Sequence, residues 1–589
     1  MKSTLKIFHS FEKTIFFNFF CYIWTAGLGA LAFAPFGLTH LVWFAPFGLF
    51  WIERKYRGQY KKLFKQGLWF AIFFSSFSFY WLNYMFVLFG GLPIWLAVTF
   101  FILYSMAFNL QFNVHLLLQS FLMKKLGVRF LLIPGFVILL AELFTYQVFP
   151  WHWGNILAGD TIFAQNAEIV GVYGLSFLVF TASYALFHLP AFYTYWQRQH
   201  QLPTASKVYL LIPLTIVVVF YANGRYLFHK WQAVSPTKKV NVMMIQPDAP
   251  LEFRDGRSFQ ETMQGLMRRI ESLAIKGAKA LKPEIIVLPE SSVPFFSTNN
   301  SDATNSFHRT YWYRFEALAF LLANRFQSNV FLNEINAFFK NGIRDSAHQR
   351  MQNNSVLFDP NGSRKNSYAK SYLLVFGEYI PFGEQFEILY SIIPQIGRFM
   401  PGKEQKLIPY YRPSEPGTPI TSHISWKQTK SLPMRELQKH YALNRTTVQE
   451  AGKILPLICY EVILPEFVRK FRHSGESDFI INITNDKWYG RTVESYQHLE
   501  LARIRSIEYR KWMVRSTNSG TSAFVDHLGR IVDDKFTNLL SSTVYSHSVP
   551  VIRSGQTFYV RYGNLLAYIF LVVMAFYYIY SIQRRMKKN

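Results

Sequence analysis

The chain has 589 residues, of which 50% are hydrophobic and 18% aromatic but only 16% charged. Soluble globular chains carry about 25% charged residues, so this composition argues against a purely soluble protein. The net charge of +27 could suggest nucleic-acid binding, but the basic residues flank apolar stretches instead of forming a polar basic surface. Two cysteines cannot build a disulfide framework or, alone, a cysteine-based zinc site.

Apolar stretches long enough to cross a membrane begin near the N-terminus. A helix needs about 20 apolar residues to cross roughly 30 Å of hydrocarbon. The first stretch could be a cleaved signal peptide, but the stretches that follow it favour a retained anchor. The sequence predicts seven spans before residue 230 and an eighth near the C-terminus, at about residues 15–35, 38–52, 67–90, 92–120, 129–146, 168–191, 207–227 and 562–582.

Basic residues in the connections predict the orientation of these spans. Eighteen of them fall at the termini and in alternate connections, whereas only Arg225 and Arg561 flank the opposite face. By the positive-inside rule, both termini are cytoplasmic and the long polar segment lies outside. The eighteen residues are Lys2, Lys6, Lys13, Arg54, Lys55, Arg57, Lys61, Lys62, Lys65, Lys124, Lys125, Arg129, Arg198, Lys207, Arg584, Arg585, Lys587 and Lys588.

Three domains follow from this pattern: a seven-span membrane domain over 1–229, an extracytoplasmic domain over 230–556, and an eighth span with a basic cytoplasmic tail over 557–589. The middle domain alternates short β-branched runs with helical patterns near 259–277, 303–325, 464–473 and 494–511, which is typical of an α/β fold. Residues 403–450 are predicted to be an inserted irregular loop. Eight strands are predicted: Val240–Ile245, Glu284–Leu288, Asn329–Leu332, Ser355–Phe358, Ile454–Ile458, Phe479–Thr484, Met513–Ser516 and Ser522–Asp526.

Cys459 is the one cysteine outside the predicted spans, and it directly follows an apolar strand. A side chain at such a strand end lies at the carboxyl edge of a sheet, where open α/β folds bind ligands. A thiol there can act as a nucleophile, although a lone cysteine can also pack as a small hydrophobic residue. Cys21 lies within the first predicted span, where only the packing role applies.

Two further strand ends carry groups that could activate a thiol. Glu290 follows the predicted strand Glu284–Leu288, and Lys370 precedes a second glutamate, Glu378, by eight residues. Taken singly, such residues are more often a helix cap and a solvated surface charge. Together with Cys459, they supply a carboxylate base, a cation for an oxyanion and a nucleophile.

The motifs around these residues resemble the Glu-Lys-Cys signature of the nitrilase superfamily. The order of the spans, with Phe149-Pro150-Trp151 in an outside connection, is similar to the apolipoprotein N-acyltransferase family within it. The resemblance covers the whole chain and implies a four-layer α-β-β-α sandwich outside the membrane. The matching stretches are Leu288-Pro289-Glu290, Lys370, Phe376-Gly377-Glu378-Tyr379, Cys459-Tyr460-Glu461, Asn482 through Gly490, Gln497 through Arg503, and Arg515 through Gly520.

The resemblance also implies an activity and a set of site residues. Glu290, Lys370 and Cys459 are expected to be catalytic, Tyr460 to offer a backbone N–H to the oxyanion, and Glu378 to support the site. Glu461 is a second expected supporting residue, and the expected substrate-binding residues are Trp151, Asn485, Arg515 and Ser516.

The expected partners are a membrane phospholipid as acyl donor and a diacylglyceryl-modified lipoprotein as acceptor. A ping-pong reaction through a Cys459 thioester is implied at the periplasmic side of the inner membrane. The protein is expected to act as a monomer and to require no metal or other cofactor.

Two other functions remain open from the residues alone. In a membrane-tethered nitrilase-type amidase, water instead of an amine would resolve the acyl-enzyme, with the same catalytic residues. A lipid transporter would use the spans directly, but these carry few acids, Glu142 being the main one. A phosphate-loop-like stretch at Gly397–Lys403 lacks the required Ser or Thr at Glu404, and zincin and serine-hydrolase motifs are absent from the sequence.

An apolar run over Phe382 through Ile396 stands out in the otherwise polar outside domain. It is predicted to be either a core helix or a lipid-facing flap.

Overall fold

The computed structural model describes residues 12–88, 90–126, 131–200, 204–250, 259–292, 306–339, 349–392, 396–415, 424, 428, 434–442 and 446–586. The chain divides into a helical unit (Met1–Ala233, Tyr496–Glu508 and Thr557–Asn589) and an α/β unit (Val234–Ser495 and Tyr509–Gln556). The sequence places Tyr496–Glu508 within the middle domain, whereas in the structure this segment groups with the helical unit.

The helical unit consists of apolar helices joined by short connections. Three 3-10 helices, Thr39–Trp43, Trp153–Gly159 and Phe163–Asn166, lie in those connections. The helix Glu494–Tyr509 contributes most of its length to this unit. The other helices in the described part of this unit are Ile15–Ala32, Phe47–Tyr56, Tyr60–Ser78, Trp81–Leu88, Ile94–Phe108, Gln111–Leu126, Ile133–Phe144, Ala167–Gln199, Thr204–Gln232, Phe558–Tyr562 and Leu565–Met586.

Five helical stretches among the described residues are long and apolar enough to cross a membrane, and the pair Tyr60–Ser78 and Trp81–Leu88, bent by 75°, makes up to six. Two further predicted spans correspond to short helices, Phe47–Tyr56 with 10 residues and Ile133–Phe144 with 12. At ~1.5 Å per residue these reach about 15 and 18 Å, roughly half the hydrocarbon thickness. Several apolar helices are therefore confirmed, and the number eight stays a prediction.

The α/β unit contains two six-stranded sheets in its described part. The first sheet has the order β12-β1-β2-β3-β4-β5 and the second β11-β10-β9-β8-β7-β6. The strands are β1 (Lys238–Gln246), β2 (Ile285–Val287), β3 (Asn329–Phe339), β4 (Gln349–Phe358), β5 (Arg364–Ala369), β6 (Ile408–Pro413), β7 (Val448–Ile458), β8 (Phe479–Thr484), β9 (Met513–Thr517), β10 (Ala523–Val525), β11 (Ile531–Phe536) and β12 (Thr543–Val551).

Helices complete the expected α/β fold. Helix Phe259–Ala280 packs on β1 and β12, and helix Ser306–Phe326 packs on β3 and β4. Their apolar side chains, including Met263, Ile270 and Leu318, are fully or almost fully buried against the first sheet. The other helices of this unit are Ile388–Ile392, Met434–His440 and Pro465–Val468, with 3-10 turns at Cys459–Ile463, Arg469–His473 and Asp486–Tyr489.

All eight predicted strands are present, and the described residues form four further strands that were not predicted: β5, β6, β11 and β12. The irregular loop predicted over 403–450 is wrong in its described part, because β6, helix Met434–His440 and the start of β7 lie within it. Strand β6 is hard to predict from the sequence because it contains Pro409 and Pro413, and proline lacks the N–H that a strand donates.

The three predicted catalytic residues each lie just after the end of a strand. In the first sheet β1, β2 and β3 run parallel, and in the second sheet β7, β8 and β9 run parallel. Glu290 follows β2, Lys370 directly follows β5, and Cys459 directly follows β7. The side chain of Gln246 on β1 links the sheets, because its Oε1 accepts hydrogen bonds from Thr517 on β9 and from two further hydroxyls.

Candidate active site

Glu290 lies in a tight turn after β2 and is only 7% exposed. Its Oε1 accepts a hydrogen bond of 2.8 Å from the Asn353 side-chain amide, and its Oε2 accepts one of 3.1 Å from the Asn485 backbone N–H. Burial raises the pKa of Glu290, and the Lys370 charge opposes that rise. A carboxyl with a raised pKa is suited to take a proton near neutral pH.

Lys370 is 2% exposed and faces two carboxylates. Its Nζ lies 2.9 Å from both Oε1 and Oε2 of Glu378 and 3.8 Å from Oε1 of Glu290. Burial disfavours the ammonium, but Glu378 and Glu290 outweigh burial and raise the pKa of Lys370 above its ordinary value. Lys370 is therefore a fixed cation at physiological pH, able to stabilise a developing oxyanion.

Glu378 is itself held in place. Its Oε2 accepts a hydrogen bond of 2.8 Å from the Leu374 N–H, so the loop after Lys370 folds back on this carboxylate. Glu378, which the sequence predicts to support the site, is therefore the ion-pair partner of Lys370.

Cys459 occupies the first position of a 3-10 turn with a φ of 52°, a left-handed conformation that non-glycine residues adopt rarely. The residue is partly exposed, and the charges of Glu290 and Lys370 both act on its thiol. Burial raises the pKa of the thiol, the Glu290 charge adds to the rise and Lys370 opposes it. The resting thiol is therefore neutral, so a base must remove its proton when it attacks.

Glu461 joins the cysteine turn to the lysine segment. One carboxylate oxygen accepts hydrogen bonds from the Tyr368 hydroxyl and the backbone N–H groups of Ser371 and Tyr372, at 2.7, 2.7 and 3.1 Å. The other accepts one of 2.9 Å from the Ile458 N–H. Burial raises the pKa of Glu461 to about 7, and these donors oppose the rise. Its side chain contacts the backbone beside Lys370, not the ammonium.

Four of the remaining predicted residues lie in the α/β unit, in two groups. Tyr460 and Asn485 lie beside the site: Tyr460 follows the cysteine, and Asn485 donates its N–H to Glu290. Arg515 and Ser516 are fully buried in β9, where the Arg515 guanidinium hydrogen-bonds Asn482 and, at 3.1 Å, Asp486. A substrate-binding role for Arg515 and Ser516 stays a prediction.

Trp151 belongs to the helical unit. It is 4% exposed, stacks on Phe74 with ring centroids 4.2 Å apart, and donates a 3.2 Å hydrogen bond to Asn109. A cavity of about 10 Å³ beside it, with room for about one water molecule, is lined in part by His152 and Gln497. Its substrate-binding role also stays a prediction.

Two site residues escape motif reasoning. Asn353 on β4 contacts both Glu290 and Glu378, and Asn333 on β3 contacts Asn353. The signal in the sequence is weak: each is a polar residue inside a strand, where asparagine is generally depleted.

Comparison with known proteins agrees with this geometry. The family model for carbon-nitrogen hydrolases matches residues 254–544, and the model for the N-terminal domain of apolipoprotein N-acyltransferases matches residues 25–185. "Apolipoprotein N-acyltransferase 2" of Leptospira interrogans serovar copenhageni is 48% identical over 583 residues, covering 97% of each chain. The chain belongs to the apolipoprotein N-acyltransferase family. "Apolipoprotein N-acyltransferase 1" of Leptospira interrogans serovar Lai is 30% identical over 509 residues and 84% of each chain.

Family membership confirms the resemblance inferred from the motifs, including the carbon-nitrogen hydrolase domain. Among solved structures, an amidase from Nesterenkonia sp. AN1 aligns at 14% identity with a TM-score of 0.32, covering 56% of this chain and 98% of that chain.

Proposed function

We propose that this chain transfers an acyl chain from a membrane glycerophospholipid to the α-amino group of the N-terminal diacylglyceryl-cysteine of lipoproteins. The observation that carries the proposal is the convergence of Glu290, Lys370 and Cys459 in a member of the apolipoprotein N-acyltransferase family. The neutral thiol, the buried carboxylate and the fixed cation supply the groups that acyl transfer through a thioester needs.

In the first half-reaction, Glu290 takes the Cys459 proton as the sulfur attacks an ester carbonyl of the phospholipid. Lys370 and the Tyr460 N–H stabilise the tetrahedral oxyanion. The C–O bond of the ester then breaks, the lysophospholipid leaves with a proton returned by Glu290, and the acyl group stays on Cys459 as a thioester.

In the second half-reaction, the lipoprotein α-amine attacks the thioester. Glu290 accepts a proton from the amine, the C–S bond breaks, and the Cys459 sulfur regains a proton. The products are an amide and the free enzyme, so the kinetics are ping-pong. Glu378 holds the Lys370 ammonium, and Glu461 holds the backbone on both sides of the site.

The donor must be a lipid that reaches Cys459 from a bilayer. Apolar helices and family membership indicate a multi-pass protein of the inner membrane. Close to Glu378 in sequence, the α/β unit exposes large apolar side chains: Phe382 is 71% exposed, Phe386 61% and Ile388 68%. Such side chains on a nominally aqueous domain support contact with the membrane interface. Tyr390 and Ile396 of the same segment are buried together with Ile380, whereas Ile393 lies outside the described residues.

The basic asymmetry of the connections supports a periplasmic site with cytoplasmic termini. Reporter fusions at about residue 60 and about residue 300 should report opposite compartments. Cytoplasmic signals from both fusions would contradict the placement of the site outside.

Transfer is tested with the full-length protein in nanodiscs that contain a phospholipid labelled in its acyl chain. A diacylglyceryl-cysteine peptide is added as acceptor, and the same peptide with an acetylated amine is the control. Label should appear on the free-amine peptide alone. If instead label appears as free fatty acid at the same rate with either peptide, water resolves the acyl-enzyme and the protein is a hydrolase.

A further inference from the structure

Asn353 stands between the two acidic side chains of the site. It is 6% exposed on β4, and its Nδ2 lies 2.8 Å from Oε1 of Glu290 and 3.3 Å from Oε1 of Glu378. Its backbone oxygen accepts a 2.7 Å hydrogen bond from the Lys370 N–H. Asn353 therefore contacts three parts of the site: the Glu290 carboxylate, the Glu378 carboxylate that pairs with Lys370, and the backbone of Lys370.

The orientation of the Asn353 amide follows from its neighbour. Asn333, 1% exposed on β3, accepts a 2.9 Å hydrogen bond from the Ser291 N–H through its Oδ1, and a backbone N–H can only donate. The Nδ2 of Asn333 therefore points away from Ser291. This Nδ2 donates to Oδ1 of Asn353 at 2.6 Å and to the Asn354 carbonyl at 3.0 Å. The NH₂ group of Asn353 is thereby directed at Glu290 and Glu378.

The hydrogen bonds that link Ser291, Asn333 and Asn353 begin at a residue with a strained backbone. Ser291 directly follows Glu290 and has a φ of 58°, so the turn that carries the carboxylate adopts a conformation disfavoured for non-glycine residues. Asn333 holds the N–H of that residue. The backbone and the side chain of Glu290 are thus fixed by two linked amides.

We propose that Asn353, oriented by Asn333, is a positioning residue that holds the Glu290 and Glu378 carboxylates on the two sides of the Lys370 ammonium. The NH₂ group has two protons, one for each carboxylate, and among the described side chains only the Lys370 ammonium also contacts both. A hydrogen-bond donor stabilises the ionised carboxylate, which is the form of Glu290 that accepts a proton. The inference rests on the proposed role of Glu290 as the base.

The consequence is a defined dependence on pH. The titratable groups facing Glu290 are Lys370, Glu378, Cys459 and Tyr489. Burial raises the pKa of Glu290, and the Asn353 hydrogen bond lowers it. Without Asn353 the pKa rises further, so a larger fraction of Glu290 is protonated at a given pH and less can act as base.

The test uses the full-length protein with Cys21→Ala, which leaves Cys459 as the single thiol because the chain has two cysteines. The rate of Cys459 alkylation by iodoacetamide and the rate of its acylation by phospholipid are both measured from about pH 5 to 9. Asn353→Leu removes the donor at similar size, and Asn353→Asp replaces it with an isosteric group that cannot donate when ionised. Asn324→Leu is the matched control, because it removes two buried hydrogen bonds of Asn324, to the Phe320 and Asn361 carbonyls, without touching a site carboxylate.

In both the alkylation and the acylation profile, the pH range over which the rate falls on acidification is the acid limb. Asn353→Leu should shift this limb to higher pH by about one unit, and Asn353→Asp should shift it further. Asn333→Leu should move it in the same direction by less, since the Asn353 amide remains but can rotate. The control should lower the melting temperature and leave the limb unchanged. The inference would be overturned if both Asn353 variants kept the acid limb at the wild-type pH, or if Asn324→Leu shifted it equally. A shifted alkylation limb in a protein that never acquires an acyl group would keep the positioning role and reject the acyltransferase proposal.

Discussion

The surroundings of Trp151 in the helical unit and of Lys370 in the α/β unit are stabilised by different kinds of contact. In the helical unit aromatic rings pack on one another, as Phe74 does on Trp151 and Phe50 on Tyr184 with ring centroids 5.0 Å apart. In the α/β unit buried charges are fixed by specific partners, such as Lys370 between two carboxylates.

This difference predicts how each unit responds to substitution. Ring packing is spread over many weak contacts, so the loss of one should have a graded effect. A buried charge that loses its partner has a large free-energy cost, and around Cys459 it also removes the chemistry. Substitutions of similar size should therefore have different effects in the two units, both on the free energy of unfolding and on the rate of acyl transfer.

The two cysteines give the largest contrast. Cys21 is fully buried in helix Ile15–Ala32, whereas Cys459 is partly exposed at the end of β7. Cys459→Ala and Cys459→Ser should abolish acyl transfer, and Cys21→Ala should retain it, as measured with labelled phospholipid. Full acyl transfer in Cys459→Ala would exclude covalent catalysis by this thiol.

Glu290 and Lys370 should rank next. Glu290→Gln should block acylation because the neutral thiol loses its base, and Lys370→Met should slow it by on the order of 10²–10³. Because burial raises the pKa of Glu290, the wild-type acylation rate should fall with decreasing pH at a value above the ordinary carboxyl pKa. Acylation of Cys459 at wild-type rate in Glu290→Gln would show that another group is the base.

The exposed apolar segment should have a smaller and more selective effect. Phe382→Ser, Phe386→Ser and Ile388→Ser together should slow acylation from bilayer phospholipid about tenfold, because apolar area that enters the interface contributes about 25 cal/mol per Å². Alkylation of Cys459 by iodoacetamide should not change. A parallel loss of both reactions would mean that the segment supports the fold, and no loss in either would place lipid entry elsewhere.

Ring packing in the helical unit should give the smallest effect. Phe74→Leu removes the stack on Trp151 and should destabilise the protein by about 1 kcal/mol, with alkylation of Cys459 unchanged. Phe77→Leu is the matched control, because Phe77 lies on the same helix and is 43% exposed. A loss of Cys459 reactivity in Phe74→Leu would show that the site depends on this packing and would remove the contrast between the units.

The four strands that the sequence did not reveal have a common position. Strands β5, β6, β11 and β12 are the edges of the two sheets. Edge strands carry polar residues and prolines, which limit pairing with other chains and remove the apolar run that identifies a strand. The eight central strands were predicted because both of their neighbours bury them.

The site was predictable to the extent that its residues follow recognisable strand ends. Glu290, Lys370 and Cys459 each follow an apolar or motif-bearing strand. Asn353 and Asn333 could not be found in this way, because their role depends on the register that places β3 beside β4, which a single sequence does not specify. The number of spans was likewise not determined by composition, since apolar stretches near Phe47–Tyr56 and Ile133–Phe144 form only short helices.

Intact-mass analysis of the purified protein, incubated with phospholipid and no acceptor, tests the central claim most directly. The account predicts a mass increase equal to one acyl group, mapped to Cys459, released by hydroxylamine, present in Cys21→Ala and absent in Cys459→Ala. An unmodified mass in the wild-type protein while it transfers acyl chains to an acceptor would contradict the thioester mechanism.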